Sequence, residues 1–136
     1  MRVILADHRP SVRSALRLLL ANQPGVTVVG EARHREEALE LAARERPDVV
    51  VLDWELPDLG GRIAMIELKA RLPGLAVVAI STLPEARRAA LSAGAEAFFS
   101  KGAPPETLLA AIERVGDVGE SLSDPNGPAG TSELQC

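Results

Sequence analysis

Val49-Val50-Val51-Leu52-Asp53-Trp54-Glu55-Leu56-Pro57 (VVVLDWELP) is the stretch that decides the fold. Four consecutive branched apolar residues, preceded by the breaker Pro47-Asp48, read as a short strand buried on both faces. A strand of that kind belongs in a parallel sheet covered by helices on each side, where the chain crosses over between successive strands. The run stops on an acid, and Pro57 and Gly60-Gly61 interrupt the chain before the next helical periodicity.

Similar runs lie on either side. Val3-Ile4-Leu5-Ala6, Val26-Thr27-Val28-Val29, Ala76-Val77-Val78-Ala79-Ile80 and Ala97-Phe98-Phe99 read as four more strands. The stretches between them carry apolar residues at three-to-four spacing. Val12, Leu16, Leu19 and Leu20 mark a first helix, and Ala38, Leu41 and Ala42 a second. Ile63, Ile66 and Leu68 mark a third, Ala86, Ala89, Ala90 and Ala93 a fourth, and Leu108, Leu109 and Ile112 a fifth. Right-handed crossovers turn this alternation into a doubly wound α/β fold, (βα)5, with one five-stranded parallel sheet. Residues 1–115 form that domain. From Gly116 the chain reads GDVGESLSDPNGPAGTSELQC, a composition expected of a disordered tail or linker over 116–136.

Composition narrows the function. A chain of 136 residues holds one domain of ordinary size. Apolar residues make up 46% and aromatics 2%, so the core is aliphatic. A net charge of −4 offers no footprint for a polyphosphate backbone, so no direct nucleic-acid binding is expected of this domain. The single cysteine, Cys136, excludes an internal disulfide and a multi-cysteine zinc site. No apolar run approaches the ~18 residues of a membrane span, and the apolar run before Asp7 is too short for a signal peptide. A soluble, cytoplasmic protein with no membrane partner is expected.

In an open parallel sheet, ligands bind beyond the carboxyl ends of the strands. Asp7 and His8 follow the first strand, Asp53, Trp54 and Glu55 the third, Ser81 and Thr82 the fourth, and Lys101 the fifth. Two carboxylates, a hydroxyl and an ammonium on one rim suit phosphoryl transfer to a carboxylate, where the protein positions groups and neutralises oxygen charge. Asp53 is the candidate nucleophile. Asp7 helps hold a hard cation such as Mg²⁺, Lys101 supplies a point charge, and the Ser81 hydroxyl donates to a phosphoryl oxygen. Other chemistries lack their signatures: neither Ser81 nor Ser100 lies in a G-x-S-x-G elbow, and ADHRPS follows the first strand where a dinucleotide site needs G-x-G-x-x-G. A cobalamin module's D-x-H-x-x-G loop is absent, since Asp7 and His8 are adjacent.

The segments ILADHRPSVRSALRLLL, VVGEARHREEALELAARERPDVVVLDWELPDLGG, VVAIS and AGAEAFFSKG resemble the receiver domains of bacterial two-component response regulators, particularly those joined to helix-turn-helix output domains. The resemblance covers roughly residues 1–115. It implies a flavodoxin-like receiver fold in which Asp53 accepts a phosphoryl group from a histidine kinase and Asp7 serves the Mg²⁺ site with Asp53. It further implies that the backbone carbonyl of Glu55 is a metal ligand, Ser81 the switch hydroxyl, Lys101 the phosphate-binding lysine and Phe98 the aromatic switch. Such a domain is a signalling switch rather than a metabolic enzyme. Its partners are the kinase, an output domain or protein that controls transcription, and a second copy of itself.

Three departures stand out. His8 replaces a second acid that is a direct Mg²⁺ ligand in the family. Its imidazole suits borderline metals better, so Mg²⁺ affinity should fall unless Glu55 turns its carboxylate inward. The Ser81–Lys101 stretch is about two residues shorter than in similar chains, and Gly102 stands where many have an acid. His8 also motivates a competing reading, a pseudo-receiver that serves as a phosphorylation-independent interaction or dimerisation module. Locally, Asp7 could instead cap the first helix, Phe98 could be plain core, and His34 with Glu36 and Glu37 reads as a solvated helix start.

Overall fold

A computed structural model of the protein describes the backbone of residues 1–123 and the side chains through Val115. Five strands alternate with five helices: β1 Arg2–Ala6, α1 Pro10–Ala21, β2 Thr27–Ala32, α2 Arg35–Glu45, β3 Val49–Asp53, α3 Gly60–Arg71, β4 Ala76–Ser81, α4 Ala86–Ala93, β5 Ala97–Ser100 and α5 Pro105–Ser123. All pairings are parallel, in the order β2-β1-β3-β4-β5. The expected doubly wound (βα)5 fold is therefore present. Every residue of β3 is buried, as its unbroken apolar run requires of a central strand.

The sheet separates two cores. Ile4, Val50, Leu52, Val77 and Ala79 point to one face and pack with Leu41, Met65, Leu68 and Ala90 from α2, α3 and α4. Val3, Leu5, Val51, Val78 and Ile80 point to the other and meet Leu16, Leu20, Leu108 and Ile112 from α1 and α5. The period-two alternation of a strand delivers consecutive residues to opposite cores, so the central strands β3 and β4 must be apolar until they end.

Three expectations change. β2 runs Thr27–Ala32 rather than Val26–Val29, because after a register shift at Val3/Ile4 the residues Gly30, Glu31 and Ala32 pair on with Ile4, Leu5 and Ala6. As an edge strand it tolerates the polar Glu31. In α3 the inward face is Gly61, Ala64, Met65 and Leu68, while Ile66 is 45% exposed. The helix is turned by its first turn: Gly61 lies against the end of β3 and its N–H donates to Trp54 O at 3.0 Å. Helix α5 continues past Val115 to Ser123, since Val118 and Leu122 extend its apolar spacing and the next proline is Pro125. The tail expectation for residues 124–136 falls outside the described residues.

The β3–α3 connection is held in an unusual conformation. Asp58, Leu59 and Gly60 have φ of 66°, 75° and 84°, successive left-handed residues of which only the last is a glycine. Arg35 of α2 spans from Glu67 at 2.8 Å to Asp58 at 3.1 Å and ties this loop down.

Gly61 is required by space. A Cβ there would meet Asp53 O at 2.5 Å and Trp54 Cα at 2.7 Å, both backbone atoms that cannot swing aside. Gly61→Ala is expected to lower unfolding free energy by about 1–3 kcal/mol in urea titrations and to shift Trp54 emission. An unchanged midpoint would show that the loop accommodates the methyl group.

Candidate functional site

Strand order reverses direction between β1 and β3, where consecutive crossovers leave on opposite faces and the carboxyl ends of the strands open a crevice. Ala6 pairs with Leu52, so Asp7 and Asp53 emerge side by side at that point. Ser81 ends β4 beside Ser100 of β5, placing Lys101 next on the rim. Hydrogen bonds from Asp7 N to Ala32 O, Trp54 N to Ile80 O and Lys101 N to Ser81 O carry the ladder to its end and fix the backbone under each group.

Asp7, Asp53 and Ser81 are the buried polar residues among those described, each with no exposed surface. The Lys101 ammonium lies 2.7 Å from Asp7 Oδ2 and 3.3 Å from Asp53 Oδ1. Two adjacent buried carboxylates repel and lose hydration, and the ammonium between them offsets that repulsion. Asp53 Oδ1 also accepts the Glu55 N–H at 2.9 Å. On the other side, His8 Nδ1 lies 2.7 Å from Asp53 Oδ2, within hydrogen-bond distance. Both oxygens of the candidate nucleophile are thus engaged.

Asp7 does not cap α1. The cap residue is Arg9, without a side-chain cap bond, and Asp7 Oδ1 instead accepts the Arg9 N–H at 2.9 Å. Its Oδ2 is buried and has no hydrogen-bond donor, the nearby ammonium lying outside hydrogen-bond geometry. Two carboxylates against one ammonium leave a formal negative charge in a buried place, which a further cation would balance.

The remaining predicted residues sit apart from this cluster in their contacts. Ser81 Oγ donates to Glu55 Oε2 at 2.7 Å and accepts the Leu83 N–H at 2.9 Å. The Glu55 carboxylate is therefore bound to the hydroxyl, and the inward turn that could have replaced the missing acid is not the arrangement observed. Phe98 is 8% exposed and packs in the α2–α4 core, while Phe99 packs in the opposite one. His34 caps α2, accepting the Glu37 N–H at 3.3 Å, in keeping with a helix start. The Glu37 carboxyl is held below its ordinary range, chiefly by the Arg33 N–H that it accepts.

One contributor was not singled out from sequence, and another takes a different partner. Arg13 Nη1 donates to Asp7 O at 2.7 Å and its Nε to Glu31 at 3.2 Å, bracing the β1–α1 turn against β2. Its place on the first turn of an amphipathic helix carried no distinguishing signal. The Glu55 carboxylate, considered from sequence as an inward ligand, meets Ser81 instead.

One ligand atom each from Asp7, His8 and Asp53 lies within 4.8 Å of the others. The carboxylates are oxygen donors of the kind Mg²⁺ takes, but the third donor is an imidazole nitrogen, and Glu55 offers its carboxylate elsewhere. The donor set therefore fits Mg²⁺ poorly. No described helix is long and apolar enough to cross a membrane.

Comparison with known proteins agrees with the architecture. Residues 3–113 match the response regulator receiver domain family. The nitrate/nitrite response regulator protein NarL of Escherichia coli (strain K12) is 32% identical over 136 residues, 98% of this chain and 63% of NarL. Response regulator GacA of Pseudomonas aeruginosa is 33% identical over 117 residues, 85% of this chain and 55% of GacA. A solved two-component response regulator of the LuxR family from Aurantimonas sp. SI85-9A1 superposes with a TM-score of 0.79 at 33% identity, covering 84% of this chain and 83% of that one. The chain thus spans somewhat more than half the length of these curated relatives. With five parallel strands in this order, the acids at the switch point and a family match over most of its length, the chain belongs to the response regulator receiver domain family.

Proposed function

We propose that the domain receives a phosphoryl group on Asp53 from a histidine kinase and acts as a switch rather than a metabolic enzyme. The observation that carries this reading is the fully buried Asp53 carboxylate with Lys101 and the Glu55 N–H on one oxygen. In the transfer, Asp53 Oδ2 forms a bond to phosphorus as the bond from phosphorus to the donor's imidazole nitrogen breaks, and the departing imidazole takes a proton. Oδ2 must first leave His8. Lys101 neutralises charge on the transferred group. The Ser81 hydroxyl gives up Glu55 to donate to a phosphoryl oxygen, and Phe98 responds to that movement.

Receivers use Mg²⁺ for this transfer. Asp7, Asp53 and the Glu55 carbonyl are the groups that would hold it, with His8 standing where a further oxygen donor would serve it better. The acyl phosphate adds negative charge and acceptor oxygens, biasing a two-state equilibrium of the α4–β5–α5 face. Control of transcription through an output domain, homodimerisation and a cytoplasmic setting go with this reading.

A second reading has its own observation. The His8–Asp53 contact at 2.7 Å occupies the attacking oxygen, which favours a pseudo-receiver that binds partners without phosphorylation.

Titrating divalent cation and then acetyl phosphate or beryllofluoride while following Trp54, the neighbour of Asp53, separates the two. An emission change with intact-mass gain of one phosphoryl group, lost in Asp53→Asn, is expected. A folded protein that takes neither donor nor mimic points to the pseudo-receiver. Lys101→Met should cost about 3–5 kcal/mol in urea unfolding, because it strands two buried carboxylates. Adding Asp53→Asn should return part of that loss, and strictly additive effects would mean that the ammonium is not coupled to Asp53.

A further inference from the structure

The donor atoms at the switch point divide into two sides. Lys101 lies against Asp7 Oδ2 and Asp53 Oδ1, while His8 Nδ1 lies 2.7 Å from Asp53 Oδ2 and 3.8 Å from Asp7 Oδ1. A cation on the His8 side would therefore gain both acids and the imidazole without displacing the ammonium from its own oxygens. Metal–ligand bonds of about 2.0–2.2 Å hold neighbouring ligand atoms roughly 3–3.4 Å apart, so the two His8 spacings of 2.7 and 3.8 Å need shifts of well under an ångström. The Asp7 carboxylate is fully buried; its Oδ2 faces Lys101, while its Oδ1, on the His8 side, accepts the Arg9 N–H and keeps a further lone pair for an ion. His8 is 38% exposed, which leaves a path for an ion and lets the ring adjust.

We propose that Asp7, His8 and Asp53 form a site for a borderline divalent transition ion such as Zn²⁺ or Co²⁺, with His8 as nitrogen ligand, in preference to Mg²⁺. Imidazole is a good ligand for these ions and a poor one for Mg²⁺, which demands oxygen ligands. The carboxylate that could have restored an oxygen donor, Glu55, is bound to Ser81. Backbone donors hold the ligating acids in place, Arg9 N–H on Asp7 and Glu55 N–H on Asp53, as metal sites require of the groups around their ligands. The proposal concerns the same site as the phosphoacceptor reading and names the ion it takes. Its test uses metal without phosphodonor, so a failure of either reading leaves the other's result standing.

The full chain in a Cys136→Ser background, stripped with chelator, is titrated calorimetrically with Zn²⁺, Co²⁺ and Mg²⁺ separately, for wild type, His8→Ala and His8→Asp. One Zn²⁺ per chain is expected, bound tighter than Mg²⁺ by on the order of a hundredfold. His8→Ala should weaken Zn²⁺ by about tenfold or more, since even the partners of metal ligands are worth that much. His8→Asp should raise Mg²⁺ affinity by a similar factor. X-ray absorption of the Zn²⁺-loaded chain should show imidazole scattering that persists in His34→Ala and vanishes in His8→Ala, these being the two histidines of the chain. Unchanged Zn²⁺ affinity in His8→Ala, loss of the imidazole signal in His34→Ala, or Mg²⁺ binding as tight as Zn²⁺ would each overturn the assignment. Thermal melts of the variants confirm that the exposed position leaves the fold intact.

Discussion

Asp7 and Asp53 sit fully buried beside each other at the ends of β1 and β3, and the ammonium of Lys101 holds them together. The arrangement is costly to assemble, since all three groups surrender hydration, and removing the ammonium leaves two uncompensated carboxylates in a low-dielectric place. Much of the surrounding structure serves it. The ladder bonds of Asp7, Trp54 and Lys101 bring three strand ends to one level, and Arg13 braces the β1–α1 turn from the side. The missing Cβ of Gly61 lets α3 close against the backbone of Asp53 and Trp54.

Around this core, two contacts occupy groups that phosphoryl chemistry would need. His8 takes one oxygen of Asp53, and Glu55 takes the hydroxyl of Ser81. Both are short, and both must be exchanged for contacts to an incoming group. The resting arrangement is therefore a satisfied state with its own partners. A switch needs such a state, because a ligand shifts an equilibrium only through different contacts in its two conformations. His8 differs from Glu55 in being half open to solvent, so its exchange partner can be an ion as readily as water.

The two-core architecture explains why the site lies on the rim. Each central strand feeds consecutive side chains to opposite cores and must be apolar along its length, so there polar groups enter only where the strand ends. The same alternation sends Phe98 and Phe99 to different cores, with Phe98 on the side of α4. The connection between β3 and α3 carries the left-handed run Asp58–Gly60, and Arg35 holds it from α2. Strain next to the candidate phosphoacceptor is thus secured by an element distant in sequence.

Much of this was legible in the residues alone. Apolar runs of strand length alternating with helical spacing determined the doubly wound sheet, and the order of acid, acid, hydroxyl and lysine after strands one, three, four and five determined which rim to inspect. These are local signals: periodicity and the residue after a strand need no knowledge of the rest of the chain. The end of β2, the face of α3 and the extent of α5 were less legible, because register against β1, the fit of Gly61 on β3 and a helical spacing that runs on through glycines override the local pattern. Only the tertiary structure decided which oxygen of Asp53 faces His8 and which faces Lys101, and that Glu55 reaches Ser81 instead of the acids. Those choices join groups 26 to 48 positions apart, through side-chain torsions that no spacing in the sequence encodes.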